Sequence, residues 1–151
     1  MTGANRGIGF KIVRGLLSCG FDVFLGCRVQ SRGEAARTEL IRQTGGDGID
    51  RRIHVLAVDL DDPQSILTAK AVVQSVAGSL DVLIHNAAFI TYDPIGIESV
   101  ERSLAVNYDG TILVNEAFFP LVRSGGRVIF VSSAVGKSIL GSAADANRAF
   151  E

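Results

Sequence analysis

Asp22-Val23-Phe24-Leu25-Gly26-Cys27-Arg28 and Ile53-His54-Val55-Leu56-Ala57-Val58-Asp59-Leu60 are short, rich in β-branched residues and almost continuously apolar. Asp81–Asn86 (DVLIHN) and Arg127–Ser133 (RVIFVSS) have the same character. A strand with one wet face would alternate. Runs without alternation read as strands covered on both faces, the habit of parallel sheets. The stretches between them read as helices. Ile8, Ile12, Leu16 and Leu17 recur at helical spacing, with Lys11 and Arg14 facing elsewhere. Glu34–Gln43 is built of good helix formers and closes at Gly45-Gly46. Pro63 suits the first turn of a third helix capped by Asp61 or Asp62, with Ile66, Ala69, Val73 and Ala77 inside. A longer helix is expected from about Ser99 to Phe119, stopping near Pro120. Helix and strand alternating this way predict an α/β fold with a doubly wound parallel sheet.

Both ends read as incomplete. Only Met1-Thr2 precedes the first helix, and after Ser133 the chain drifts into Ala, Ser and Gly before a short helical stretch at Ala144–Glu151. The expectation is one partial domain over residues 1–151, its first strand and C-terminal part missing. Unpaired edges on neighbouring strands would follow, and with them a tendency to aggregate.

Composition narrows the function classes. The 151 residues are 47% hydrophobic and 21% charged, and 15 basic against 16 acidic side chains leave a net charge of −1. No long-range field points to nucleic acid or to a polybasic membrane contact. Uncharged runs such as Ala71–Leu80 fall short of the roughly 20 apolar residues that span a bilayer. No secretory leader pattern opens the chain. Cys19 and Cys27 lack metal-site spacing and read as two buried thiols of a cytoplasmic protein.

Thr2-Gly3-Ala4-Asn5-Arg6-Gly7-Ile8-Gly9 opens directly into the first helix. Its glycines permit a tight turn and a close approach of backbone to a pyrophosphate, for which the helix N-terminus offers free N–H groups. Thr-Gly-x-x-x-Gly-x-Gly here resembles the cofactor loop of the short-chain dehydrogenase/reductase family, a Rossmann-type fold. Further positions fit in order. Asp59 lies where the family's acidic residue hydrogen-bonds the adenine. His85-Asn86-Ala87-Ala88 stands for the family's Asn-Asn-Ala-Gly, with two letters changed. Asn107 matches a helix asparagine whose carbonyl holds a relay water, and Ser133 the catalytic serine. The resemblance implies cofactor contacts from Thr2, Gly3, Asn5, Arg6, Gly7, Ile8 and Gly9, from Asp59 with Leu60, and from Asn86 with Ala87.

Charge indicates which nicotinamide cofactor. An NAD site places a carboxylate about 20 residues past the loop, whereas an arginine suits a 2′-phosphate. The run Gly26-Cys27-Arg28 ends in a cation, and Arg6 adds a second. NADP(H) is the expected cofactor.

One component is lacking. The family's proton donor is a tyrosine followed at four residues by lysine, yet Tyr92 is followed by Gly96 and Tyr108 by Ile112. The usual spacing from Ser133 would land near Ala146. Either the chain is truncated, or it belongs to a branch with an insertion between serine and tyrosine. Monomeric carbonyl reductases carry such an insertion, and the chain is similar to them at Arg28–Gly33, Asp61–Ile66 and Leu140–Ser142. The resemblance implies NADPH-dependent reduction of a small-molecule carbonyl by a monomer or weak homo-oligomer. The rival is an inactive NADP(H)-binding or interaction module. His54 and His85 read as core or surface histidines without a metal, Lys137 as a solvated loop residue, and Phe118 and Phe119 as core or a dimer face.

Overall fold

In the computed structural model, which describes residues 1–91 and 96–133, each of the four apolar runs forms a strand. These are β1 (Val23–Cys27), β2 (Ile53–Ala57), β3 (Leu80–His85) and β4 (Val122–Phe130). Tyr92, Lys137, the 140–142 segment and the helix expected over 144–151 lie outside the described residues. All pairing is parallel: β1 with β2 from Val23↔Ile53 to Cys27↔Ala57, and β3 with β4 from Val82↔Arg127 to His85↔Phe130. The fold class is thus α/β with parallel strands, arranged as two two-stranded sheets.

Met1 and Thr2 join the two pairs. The Met1 nitrogen donates to the Phe24 carbonyl (3.0 Å), Gly26 N–H to the Met1 carbonyl (2.9 Å), and Thr2 N–H to the Ile84 carbonyl (3.0 Å). The expected open edges of β1 and β3 are therefore paired at their C-terminal ends. Further back the two strands face each other across a cavity of about 360 Å³.

Among the described residues five α-helices cover the strands: α1 (Gly7–Ser18), α2 (Gln30–Thr44), α3 (Pro63–Ala77), α4 (Ile97–Leu104) and α5 (Gly110–Phe118). The buried stripe of α1 is Gly9, Val13 and Leu17. Ile8 is 66% exposed, a correction to its place on the expected inner face. In α3, Asp62 is the cap, accepting from Gln64 N–H at 2.9 Å, and Ile66, Ala69 and Val73 point inward. Ala77 turns instead onto the cavity between β1 and β3. The expected helix from Ser99 to Phe119 begins earlier and is broken by a π-helical turn at Ala105–Asp109.

The apolar core has two halves. Val13, Leu17, Leu25 and Leu40 pack under α1 and α2; Leu56, Ile66, Val73, Val114 and Phe118 pack under α3 and α5. Phe118 is core, whereas Phe119 is exposed. The two thiols also differ. Cys27 is buried, and burial raises its pKa; Cys19 is exposed, which corrects the reading of two buried thiols. Among the described residues, no helix is long and apolar enough to cross a membrane.

Candidate functional site

The C-terminal ends of the strands open onto one cleft of about 890 Å³. Parallel α/β sheets place ligands there, because the turns into the following helices leave N–H groups pointing outward. Gly3, Asn5, Arg6, Gly7, Ile8 and Gly9 line it from the first turn, Arg28 from the end of β1, and Asp59 and Leu60 from the loop after β2. Asn86 and Ala87 follow β3, Asn107 comes from the π turn, and Ser133 lies three residues past β4. Of the sequence candidates, Thr2 alone does not reach the lining.

Thr2 sits beneath, 6% exposed, and fastens the glycine loop to the loop after β3. Its hydroxyl accepts from the N–H groups of Asn86 (3.0 Å) and Ala87 (3.1 Å). In return the Asn86 amide donates to the carbonyls of Thr2 (3.1 Å) and Gly3 (2.9 Å). The glycines make this approach possible. Gly3 has φ 61°, and a Cβ there would stand 2.8 Å from Ala87 Cα. A Cβ on Gly9 would overlap the Gly3 carbonyl and come within 2.7 Å of the Asn86 amide nitrogen. The cradle thus holds backbone where any side chain would intrude.

Electrostatically the cradle suits an anion. No side chain caps α1, and its first turn carries no acidic residue, so early N–H groups and the positive dipole end stay available. Arg6, Arg28 and Arg32 bring three cations to the lining, against one carboxylate, Asp59. The sequence reading missed Arg32, although it lies one helical turn beyond Arg28. Asp59 is partly occupied, since its carboxylate accepts from Asp61 N–H (3.2 Å) and its own N–H donates to Ser65 Oγ (2.9 Å). These residues fit a dinucleotide carrying an extra phosphate.

The opposite wall is more apolar. Phe89, Ile90, Val106, Phe130 and Val131 surround Asn107, Thr111, Ser132 and Ser133. The π turn delivers Asn107 here, and such turns are frequent at functional sites because the extra residue breaks the helical ladder. Asn107 Oδ1 accepts from Phe89 N–H (2.7 Å), and its Nδ2 donates to the Phe89 carbonyl (2.9 Å) and Ser103 Oγ (3.1 Å). Both Nδ2 hydrogens are thus committed, to the Phe89 carbonyl and to Ser103, which fixes the side chain against the loop and leaves the Asn107 main chain to line the cleft beside it.

His85 forms part of the floor, 5% exposed and stacked on Phe130 with ring centroids 4.5 Å apart. Burial pushes its pKa down, nearby Asn115 opposes that, and the Met1 amine adds to it. Neither ring nitrogen has hydrogen-bond geometry to a partner. His54, by contrast, stacks on Phe24 at 5.1 Å outside the cleft. Among the described residues no cluster of His, Cys, Asp or Glu could hold a metal.

Comparison with known proteins agrees with this geometry. The chain is 38% identical over 146 residues to carbonyl reductase (NADPH) 1 of Rattus norvegicus, and 40% over 145 to that of Bos taurus. These alignments cover 94% and 93% of the chain, which spans about half the length of either relative. Menthone neomenthol reductase from Mentha piperita superposes with a TM-score of 0.86 at 26% identity, over 99% of this chain and 65% of that one. Salutaridine reductase from Papaver somniferum shares the fold, with a TM-score of 0.79 at 24% identity, over 90% and 57%. A family model for short chain dehydrogenases matches residues 1–144, so glycine loop, cleft and strand order together are those of a chain that belongs to the short-chain dehydrogenase family.

Proposed function

We propose that this chain seats NADP(H) in the cleft and serves an oxidoreductase that reduces a small-molecule carbonyl compound to an alcohol. The observation that carries the reading is the convergence of every candidate except Thr2 on one cleft, with three arginines at its phosphate end. The relatives' names, which specify NADPH and carbonyl reduction, support it. Gly3, Gly7 and Gly9 bring backbone to the pyrophosphate, and Asn5, Ile8 and the start of α1 complete that wall. Arg28, Arg6 and Arg32 hold the 2′-phosphate, while Asp59, Leu60, Asn86 and Ala87 border the adenine side. NADPH, when bound, supplies the hydride. Ser133 hydrogen-bonds the substrate's carbonyl oxygen, and the Asn107 main chain orients a water beside it. A net charge of −1 suits a small-molecule partner rather than nucleic acid; a cytoplasmic monomer or weak homo-oligomer belongs to the same reading and rests on the resemblance to carbonyl reductases.

Arg28 tests the cofactor assignment. NADPH is expected to bind more tightly than NADH, and Arg28→Asp to weaken NADPH relative to NADH by about 1–3 kcal/mol, the scale of a lost charge-assisted contact. Fluorescence titration with both cofactors measures this, and equal affinity in the unaltered chain overturns the assignment.

A second reading is an NADP(H)-binding module without turnover, favoured by the absence of Tyr-x-x-x-Lys from these 151 residues. Hydride transfer leaves an alkoxide that needs a proton from a group poised near neutral pH. Tyr108 is 63% exposed and is not among the cleft-lining residues. The purified chain is expected to bind cofactor yet reduce no carbonyl above background. Clear turnover, free of host reductases, removes the module reading.

A further inference from the structure

Arg28 and Arg32 both line the cleft, yet nothing at their own side chains fixes where they stand. Among the described residues neither guanidinium makes an ion pair. Their placement therefore comes from the backbone of the corner where β1 ends and α2 begins. That corner has a weakness. Val29 is the N-cap of α2, and its side chain caps nothing. An apolar residue is a poor choice there, because it leaves the first-turn N–H groups without a side-chain acceptor.

Cys27 makes good that lack from behind. Its Sγ donates to the Val29 carbonyl at 3.4 Å, a bond between residues two apart that closes around Arg28. The same carbonyl accepts from Arg32 N–H at 3.0 Å and from Gly33 N–H at 3.2 Å. One acceptor thus gathers the strand end, both arginine positions and the start of the helix. The sulfur also fills the space under that turn. A Cβ on Gly33 would stand 2.5 Å from Cys27 Sγ and 2.5 Å from Val55 Cγ1, so helix and strand meet there with nothing to spare. The Cys27 carbonyl in turn accepts from Val58 N–H at 2.9 Å, which ties the corner to the chain leaving β2. Burial raises the thiol's pKa and so keeps it protonated, the form that can donate. At 2% exposure Cys27 is not among the residues lining the cleft.

We propose that Cys27 is a positioning residue: its thiol holds the first turn of α2 against β1, so that Arg28 and Arg32 meet a 2′-phosphate together. A cysteine that only filled the core would pack its sulfur as a small apolar group. Here the sulfur bonds the one carbonyl on which the turn is built. Opening that bond leaves the glycine loop and Asp59 where they are, since Asn86 holds the one and Ser65 the other. The effect is thus confined to the phosphate-bearing end, and NADH, which lacks that phosphate, does not register it. The 2′-phosphate rests on the functional reading above; the hold on the turn does not.

The test uses the 151-residue chain with Cys27→Ala, which removes sulfur and donor, and with Cys27→Ser, which keeps a donor. Amide hydrogen exchange at Arg32 and Gly33 is expected to quicken about tenfold in the alanine variant, with Val13 and Leu40 as before. The serine variant is expected to stay within about threefold of the unaltered chain. By fluorescence titration, NADPH affinity is expected to fall about fivefold in the alanine variant and NADH affinity to stay the same, with serine restoring most of the loss. Equal quickening at Val13 and Leu40, or an equal loss for both cofactors, makes Cys27 an ordinary core residue and overturns the proposal. So does an alanine variant that keeps the full NADPH preference, or a serine variant no better than alanine. Arg32 and Gly33 amides without protection in the unaltered chain overturn the hold itself. If the unaltered chain binds neither cofactor, or both equally, the functional reading fails, and exchange at Arg32 and Gly33 still decides whether the thiol holds the turn.

Discussion

His85 and the Met1 amine are the two groups whose burial leaves a mark on pH dependence. Both have folded-state pKa values below their ordinary ones, so the unfolded chain takes up each proton first. Stability is then complete above the unfolded values and declines as pH falls through them. For the amine the window runs from about 8 down to about 6, and a two-unit shift corresponds to about 2–3 kcal/mol. For His85 the decline begins near 6.5. His85→Phe keeps a flat ring against Phe130 and removes the lower part of this dependence, leaving the amine's part intact. Denaturant titrations between pH 5 and 8.5 measure it; an unchanged profile in the variant shows that His85 titrates freely. The sequence marked His85 only as one of two altered letters in a four-residue motif. Its burial depends on Phe130 and α5, which are distant in sequence, so no local pattern disclosed it.

At the scale of elements, the π turn and the loop after β3 form one unit. Asn107 holds the Phe89 main chain through both its N–H and its carbonyl, and Arg102 lies over the Phe89 ring at 4.8 Å. Asn107→Ala is expected to cost about 1–3 kcal/mol of local stability, the sum of the lost hydrogen bonds. Exchange at the Phe89 amide should rise correspondingly, while the amides of Val82 and Leu83 in β3 stay as they were. Equal acceleration in both places would mean that the loop does not open by itself. Helices and strands were legible because their signals are periodic: the Asp62-Pro63 start and the Ile66, Ala69, Val73 stripe of α3 appear as read. The π turn was not legible, because a single inserted residue leaves apolar spacing nearly unchanged. Ile8 was misplaced for a related reason. Gly9, with no side chain to register as apolar, in fact lies on the buried stripe of α1, which turns Ile8 into the cleft.

At the scale of the whole molecule, the open backbone edges of β1 and β3 along the cavity between them limit stability, although side chains lining it such as Val23, Leu83, Ile84 and Val114 are buried. The chain alone is expected to melt broadly, to bind a hydrophobic dye and to scatter light increasingly with concentration. A sharp transition independent of concentration would show that the edges close on themselves. That β1 and β3 do not pair directly with each other was legible from the alternation of elements. That Met1 and Thr2 bridge them at one end was not, since two residues carry no pattern. The Thr2–Asn86 latch has a consequence for the order of folding. It joins residues 84 apart in sequence, and closing so long a loop is entropically costly and slow. The β1–β2 and β3–β4 pairs can form from nearer segments before it does. Competence to hold a dinucleotide should therefore emerge last in refolding, as a kinetic phase later than the gain of helix signal.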